Sequence, residues 1–212
     1  MTDFTEEWIR LNNFKHAMQN EVGDFIDTDL DKRIIDRQLQ PFIENSFPDK
    51  KDVNIIDIGC GEGYAINKFK ELGYENVQGI TISKKEWDSC KAQDLNVHLM
   101  DYNYNKMMDN FFHVIWMRQS FQFSHMPFYT LLELNRIMKI GGWAYIEVPH
   151  SANQHKYYAT LHPDNYRLFM IRSGFEVVQY DSYELSSGEN KENHVFYALN
   201  KRSNVKVPEF SD

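Results

Sequence analysis

Four residues within a span of seven could do chemistry together. Asp57, Gly59, Gly61 and Gly63 stand at alternate positions, with Cys60 inside the turn they define. The apolar run Val53 to Ile58 reads as a buried parallel strand. The glycines allow a tight turn and let a ligand approach the backbone closely. A helical pattern follows and aims its amide-rich start at whatever sits there. Strand, glycine turn and helix in that order build a nucleotide-type cofactor site. Dinucleotide binding asks for G-x-G-x-x-G, and here the third glycine falls one residue early. The acid stands ahead of the glycines, where it can reach an ammonium or a water bound near one. A pyrophosphate would gain nothing from a carboxylate at that point.

The string Asp57-Ile58-Gly59-Cys60-Gly61-Glu62-Gly63 resembles motif I of the class I S-adenosylmethionine-dependent methyltransferases, an apolar strand followed by D/E-x-G-x-G-x-G. The resemblance implies S-adenosyl-L-methionine as cofactor, held in part by Asp57, Gly59, Cys60, Gly61 and Gly63. The family usually places an acid after the second strand to accept from the ribose hydroxyls. This chain reads Gly79-Ile80-Thr81-Ile82-Ser83 instead, similar to the G-V-T-[IL]-S of cyclopropane fatty acid synthases and some small-molecule N-methyltransferases. A threonine hydroxyl both donates and accepts, so Thr81 can still meet ribose, with Ser83 a second hydroxyl or simply a helix cap. After the third strand, Asp101-Tyr102 falls where the family often binds adenine. Tyr102 and Trp87 could stack on the base or pack in the core. After the fourth strand, the backbone near Arg118 is expected to line the methionine end of the cofactor. Close relatives often carry a Glu-His pair near there; Gln122-Phe123 stands in its place.

Methyl transfer from a sulfonium is an in-line displacement that needs an aligned nucleophile. A general base helps only where that nucleophile carries a proton. Histidine suits such work near neutral pH. His150 directly follows the fifth strand and His125 follows the fourth, so these two are the candidate catalytic residues. The spacing of His150, His155 and His162 matches no metal pattern, and no metal is expected. The N/D-P-P-[YF] signature of amino-directed adenine methylation is absent. Cyclopropane chemistry is disfavoured because Gln122 replaces the glutamate of the pair. Aromatic residues from Gln154 to Tyr158 suggest a lid over a small-molecule or glycan-type acceptor. A protein or nucleic-acid acceptor, or cofactor binding without transfer, stays open as an alternative.

The elements that must position these residues can be read from hydrophobic period. Helical spacing appears at Trp8 to Met18 and at Leu30 to Ile43, where Pro41 is expected to kink or shorten the helix. Strands are expected at Val53–Ile58, Val77–Ile82, Val97–Met100, Phe112–Met117, Trp143–Val148, Phe175–Leu185 and His194–Asn200. Helices follow the glycine turn, the capping box Ser83 to Glu86, Pro127 and Pro163. The alternation predicts an α/β chain, Rossmann-like and doubly wound, with a seven-stranded sheet and helices on both faces. The last two strands are joined by a polar loop, Ser186 to Asn193, too short for a crossover helix, so the last strand is antiparallel. The expected organisation is an N-terminal helical segment over 1–52 that acts as a cofactor or substrate lid, the methyltransferase-like domain over 53–201, and a tail over 202–212.

Composition sets the outer limits. At 212 residues with 42% hydrophobic side chains, the chain can bury one large core. Its formal net charge of −8 and the lack of a long Lys/Arg run make it a poor generic partner for nucleic acid or anionic membrane. Only two cysteines occur, Cys60 and Cys90, with no CxxC. With no leader-like apolar stretch near Met1 and no membrane-length run, a reducing cytoplasm is the expected setting.

Overall fold

The structure is a computed structural model; it describes residues 29–47, 52–150, 161–187 and 190–205. The expected helix over Trp8 to Met18 and the aromatic lid near Gln154 to Tyr158 lie outside the described residues. Seven strands in the order β3-β2-β1-β4-β5-β7-β6 form the mixed, Rossmann-like sheet, and six of them run parallel. The chain divides into two compact units, Met1–Asn105 and Lys106–Asp212.

In the first unit, β1 (Ile55–Ile58), β2 (Val77–Thr81) and β3 (Val97–Leu99) pair in parallel. Ile55, Ile56, Asp57 and Ile58 are all buried, as a strand covered on both faces requires. Helix α1 (Asp29–Ser46) buries Ile34, Ile35, Leu39, Phe42 and Ile43, and it runs on through Pro41 rather than stopping there. Tyr64 donates to the Asp36 carboxylate at 3.1 Å, which ties α1 to α2 (Tyr64–Glu71). Gly73, at φ 87°, sits just past the end of α2 in the left-handed conformation that closes helices. Gly79 shows why β2 carries no side chain at its centre. A Cβ there would lie 2.7 Å from Ile66 Cδ1 and 2.8 Å from Cys60 Sγ, so the helix and the turn could not pack so closely on the strand. Helix α3 (Lys84–Ala92) is capped by Ser83, whose hydroxyl accepts from Glu86 N–H.

In the second unit, β4 (Phe112–Arg118) pairs in parallel with β5 (Met138–Pro149), and β7 (Asn190–Lys201) runs antiparallel between β5 and β6 (Phe175–Ser187). Helices α4 (Pro127–Ile137) and α5 (Pro163–Arg172) both begin at a proline, which has no N–H to leave unsatisfied there. Two expectations need correcting. β5 starts at Met138, not Trp143, because Met138 already pairs with Phe112 before a register shift absorbs the Gly141-Gly142 turn. The polar stretch after β6 is not a loop. Ser186 pairs with Lys191 and Ser187 with Asn190, since two antiparallel strands gain a ladder bond with each further pair they add. One face of the unit holds a run of rings: Trp116 stacks on Tyr145 at 4.2 Å, and Tyr145 on Phe196 at 5.5 Å. Lys201 is fully buried and donates to Asn110 Oδ1 and to the carbonyls of Asn135 and Met138. It thereby closes the carbonyl end of α4 (the end where a cation is favoured).

Candidate functional site

The carboxyl ends of β1, β2 and β3 collect the first set of polar groups. After β1 the backbone turns through Gly59 (φ 76°), Gly61 (φ 52°) and Gly63 (φ 88°). All three are left-handed, the conformation that side-chain-bearing residues resist. Gly59 and Cys60 N–H both donate to Ile80 O, at 2.8 and 3.0 Å, so the turn is fastened to the end of β2. Asp57 is 3% exposed. The thiols of Cys60 and Cys90 both lie on the Gly61 carbonyl, at 3.7 and 3.4 Å. The Cys60 thiol is pushed up, first by its hydrogen bond with Cys90 and then by burial; Cys90 is pulled down by that same bond.

At the end of β2, Thr81 answers the puzzle of the missing acid. Its hydroxyl donates to Glu86 Oε2 at 2.5 Å and accepts from Ser83 N–H at 3.0 Å. A carboxylate is therefore present beside the strand end, delivered from the first turn of α3. The capping box is half made: Ser83 caps Glu86, but the Glu86 side chain turns to Thr81. Trp87 spends its indole N–H on Val97 O at 3.0 Å and lies beneath Lys84 and Lys91. At the end of β3, Asp101 Oδ1 accepts from Asn103 N and Nδ2, at 2.8 and 3.0 Å, and so caps the short turn Tyr102–Tyr104. Burial pushes the Tyr102 phenol far above its ordinary range. These groups fit a sulfonium nucleoside. Three turn positions have no Cβ to obstruct it, and carboxylates at two strand ends can accept from hydroxyl and amino groups.

The carboxyl ends of β4 and β5 collect a second set, of a different character. Arg118 pairs with Glu147 in register, Pro149 with His194, and His194 with Tyr183. Side chains two apart share a face, so Arg118, Glu147, His194 and Tyr183 converge from four strands. Arg118 Nε lies 3.0 Å from Glu147 Oε1 and His194 Nδ1 lies 3.4 Å from the same oxygen. Tyr145 donates to Glu147 Oε2 at 2.9 Å. The Tyr183 ring stacks on His194 at 5.9 Å. Glu147 is 0% exposed and His194 1%. Burial pushes the Glu147 carboxyl up, but His194, Arg118 and Tyr183 outweigh it and hold the group below the ordinary carboxylate range. Burial and then the Glu147 charge push the Tyr145 and Tyr183 phenols up. Gln119, just past β4, has φ 51°, a conformation that costs a non-glycine residue about 1–2 kcal/mol. Its N–H donates to Glu147 O at 3.0 Å and its amide reaches to 3.5 Å from His194 Nδ1.

The expected histidines fall differently. His150 follows β5 and is half-buried, its backbone N–H donating to Asn193 O at 2.5 Å. His125 is half-buried between the turn Phe121–Phe123 and α4. His162 is the N-cap of α5, accepting from Asp164 N–H; His155 lies outside the described residues. Among the described residues no group of three His, Cys, Asp or Glu side chains could hold a metal ion. Sequence reasoning missed Glu147 and His194. The signal was there: a glutamate inside the apolar run Trp143 to Val148 has to find partners in the interior.

The fold and the first set of groups are of the kind that doubly wound domains use to bind a nucleoside-type cofactor. Residues 56–146, somewhat under half of the chain, match the family model described as a methyltransferase domain. Among curated proteins no sequence matches the chain. Solved structures match its fold. A SAM-dependent methyltransferase from Methanosarcina mazei is 17% identical with a TM-score of 0.66, over 76% of this chain and 97% of that one. The geranyl diphosphate C-methyltransferase of Streptomyces coelicolor A3(2) is 14% identical with a TM-score of 0.66, over 80% of each chain. The [4+2]-cyclase SpnF is 13% identical with a TM-score of 0.67, over 91% and 94%. At these identities the likeness concerns the fold, and the cyclase illustrates that one fold hosts more than one reaction.

Proposed function

We propose that the chain transfers a methyl group from S-adenosyl-L-methionine to a small-molecule or glycan-type acceptor. The observation that carries the reading is the glycine turn with its buried acid, followed by the Thr81–Glu86 pair and Asp101 at successive strand ends. In this reading Asp57, Gly59, Cys60, Gly61 and Gly63 form the cradle for the cofactor. Thr81, seconded by Glu86 and Ser83, meets the ribose, and Asp101 with Tyr102 meets adenine. The backbone near Arg118 lines the methionine end of the cofactor, and His150 and His125 belong to the acceptor side. A small acceptor is favoured by the acidic net charge and by polar groups at the second set that are buried rather than spread on an open surface. Two buried free thiols suit a reducing, cytoplasmic setting. Among the described residues no helix is long and apolar enough to cross a membrane.

Calorimetry with S-adenosylhomocysteine and with NAD tests the cofactor. Binding of the first and not the second is expected, and the reverse sinks the reading. Asp101→Ala is expected to weaken S-adenosylhomocysteine by about 1–3 kcal/mol, beyond any loss of fold stability seen in parallel denaturation. For the acceptor, labelled S-adenosyl-L-methionine is incubated with a cell extract. Label in the dialysable fraction is expected; label retained on protein or nucleic acid turns the assignment to a macromolecular acceptor.

A further inference from the structure

The two cysteines of the chain meet inside the first unit. Cys60 stands in the glycine turn after β1 and Cys90 in the last turn of α3. Both thiols rest on the Gly61 carbonyl, at 3.7 and 3.4 Å, and they hydrogen-bond each other. Two glycines leave the sulfurs their room. A Cβ at Gly79 would lie 2.8 Å from Cys60 Sγ, and one at Gly63 would lie 3.3 Å from Cys90 Sγ. A buried cysteine that only fills space makes apolar contacts and is inert. This pair instead turns both sulfurs toward one another and toward the middle of the turn read above as the cofactor cradle. Cys60 is 5% exposed and Cys90 0%, so Cys60 is the residue that a small reagent meets first.

We propose that Cys60 and Cys90 form a modification site, which hydrogen peroxide converts to a disulfide, and that the disulfide weakens cofactor binding. The effect on binding rests on the cofactor reading above; the disulfide itself does not. The hydrogen bond from Cys60 makes Cys90 the first of the pair to lose its proton, to solvent. The Cys60 sulfur attacks one peroxide oxygen while its own proton passes to the Cys90 thiolate. The O–O bond breaks, hydroxide leaves, and Cys60 becomes a sulfenic acid. Cys90 gives its proton to that hydroxide, and its thiolate attacks the Cys60 sulfur. The S–S bond forms and the sulfenic oxygen leaves as hydroxide, which takes back from solvent the proton that Cys90 first gave up. The two thiols are oxidised, and the peroxide is reduced to two waters. To bond, the sulfurs close to about 2 Å, which draws the turn and α3 together. The turn is also fastened to the end of β2 through Gly59 and Cys60 N–H, and Gly61 O loses both of its sulfur donors. Its three left-handed glycines are the positions free to give way. In a reducing compartment such a bond is transient, as redox-sensing disulfides are.

The test uses the native full chain and needs no identified acceptor. The reduced chain is treated with hydrogen peroxide, and the peroxide is removed with catalase. The chain is then unfolded in excess iodoacetamide, which caps every remaining thiol, and its peptides are mapped by mass spectrometry. A peptide pair joined through Cys60 and Cys90, and separated again by dithiothreitol, is expected. Two capped cysteines, or a sulfinic acid at either one without the cross-link, overturn the proposal. Calorimetry then compares the reduced and the cross-linked chain. The cross-linked form is expected to bind S-adenosylhomocysteine about tenfold more weakly. Recovery with dithiothreitol separates this effect from methionine oxidation, which that reagent does not reverse. Equal affinity with the cross-link in place overturns the effect on binding while leaving the cofactor reading intact. If the reduced chain binds no S-adenosylhomocysteine, the cofactor reading falls and the effect on binding with it, while the peptide map still decides the modification site.

Discussion

The strand ends of the first unit and those of the second place polar groups in opposite ways. In the first, each strand is followed at once by what it contributes: the glycine turn after β1, Thr81 closing β2, Asp101 after β3. Partners there are near neighbours in sequence, as with Thr81 and Glu86 or Asp101 and Asn103. In the second unit a carboxylate in the middle of an apolar strand draws an arginine from β4, an imidazole from β7 and a phenol from its own strand. Local construction leaves groups able to exchange a neighbour for a ligand at little cost. Construction across strands makes every member depend on the others, so losing one strands a charge in the interior.

The largest effect that would break this contrast is at Glu147. Glu147→Ala leaves Arg118 and His194 buried without their counter-charge and is expected to lower stability by about 3–5 kcal/mol in denaturant titration. A loss near zero would mean that the cluster is as loosely built as the first set. Next comes Gly63→Ala. The residue sits at φ 88°, and an added Cβ would lie 2.3 Å from Leu95 Cδ1. The left-handed backbone alone costs about 1–2 kcal/mol, with some relief because the leucine tip can move. Weakened S-adenosylhomocysteine binding should accompany it in calorimetry, and wild-type behaviour in both would take the turn out of the site. The smallest effect sharpens the comparison through pH. Glu147 ionises below its unfolded value of 4.5, so between the two values the unfolded chain binds more protons and stability rises with pH. Its contribution is complete above about pH 4.5 and is lost as pH falls through the folded value. Thermal melts of Glu147→Gln set against the parent should show the parent's excess acid sensitivity vanish in that range; parallel curves would argue against an ionised Glu147.

What the sequence made legible follows the same division. The glycine turn, Thr81, Ser83 and Asp101 could be read because spacing along the chain is spacing in space over one turn. The sheet could be read because apolar runs alternate with helical stripes, and the antiparallel last strand because its connection is short. The extent of the β6–β7 hairpin could not be, since residues such as Lys191 and Glu192 read as loop until a partner strand is known to be in register. The start of β5 was hidden by Gly141-Gly142, a turn signal that the sheet absorbs as a register shift. Glu147 and His194 were missed because nothing along the chain links positions 118, 147 and 194; only the register of β4, β5 and β7 does. The role of Glu86 was half visible. The capping box pointed to Ser83 and Glu86, while the competing hydroxyl of Thr81 decided where the glutamate turned.

The order β5-β7-β6 also has a consequence in time. β5 pairs with β7 and not with the strand made directly after it, so Trp143 waits for Asn200 and Pro149 for His194. As the chain leaves the ribosome, one side of β5 is an open edge until the last strand has been synthesised, and the Glu147 carboxylate has no imidazole to meet. Late, non-local pairings of this kind slow folding and expose intermediates to misassembly. A chain cut short before β7 would present a hydrophobic edge strand with a charge at its centre, and a quality-control protease should find it readily.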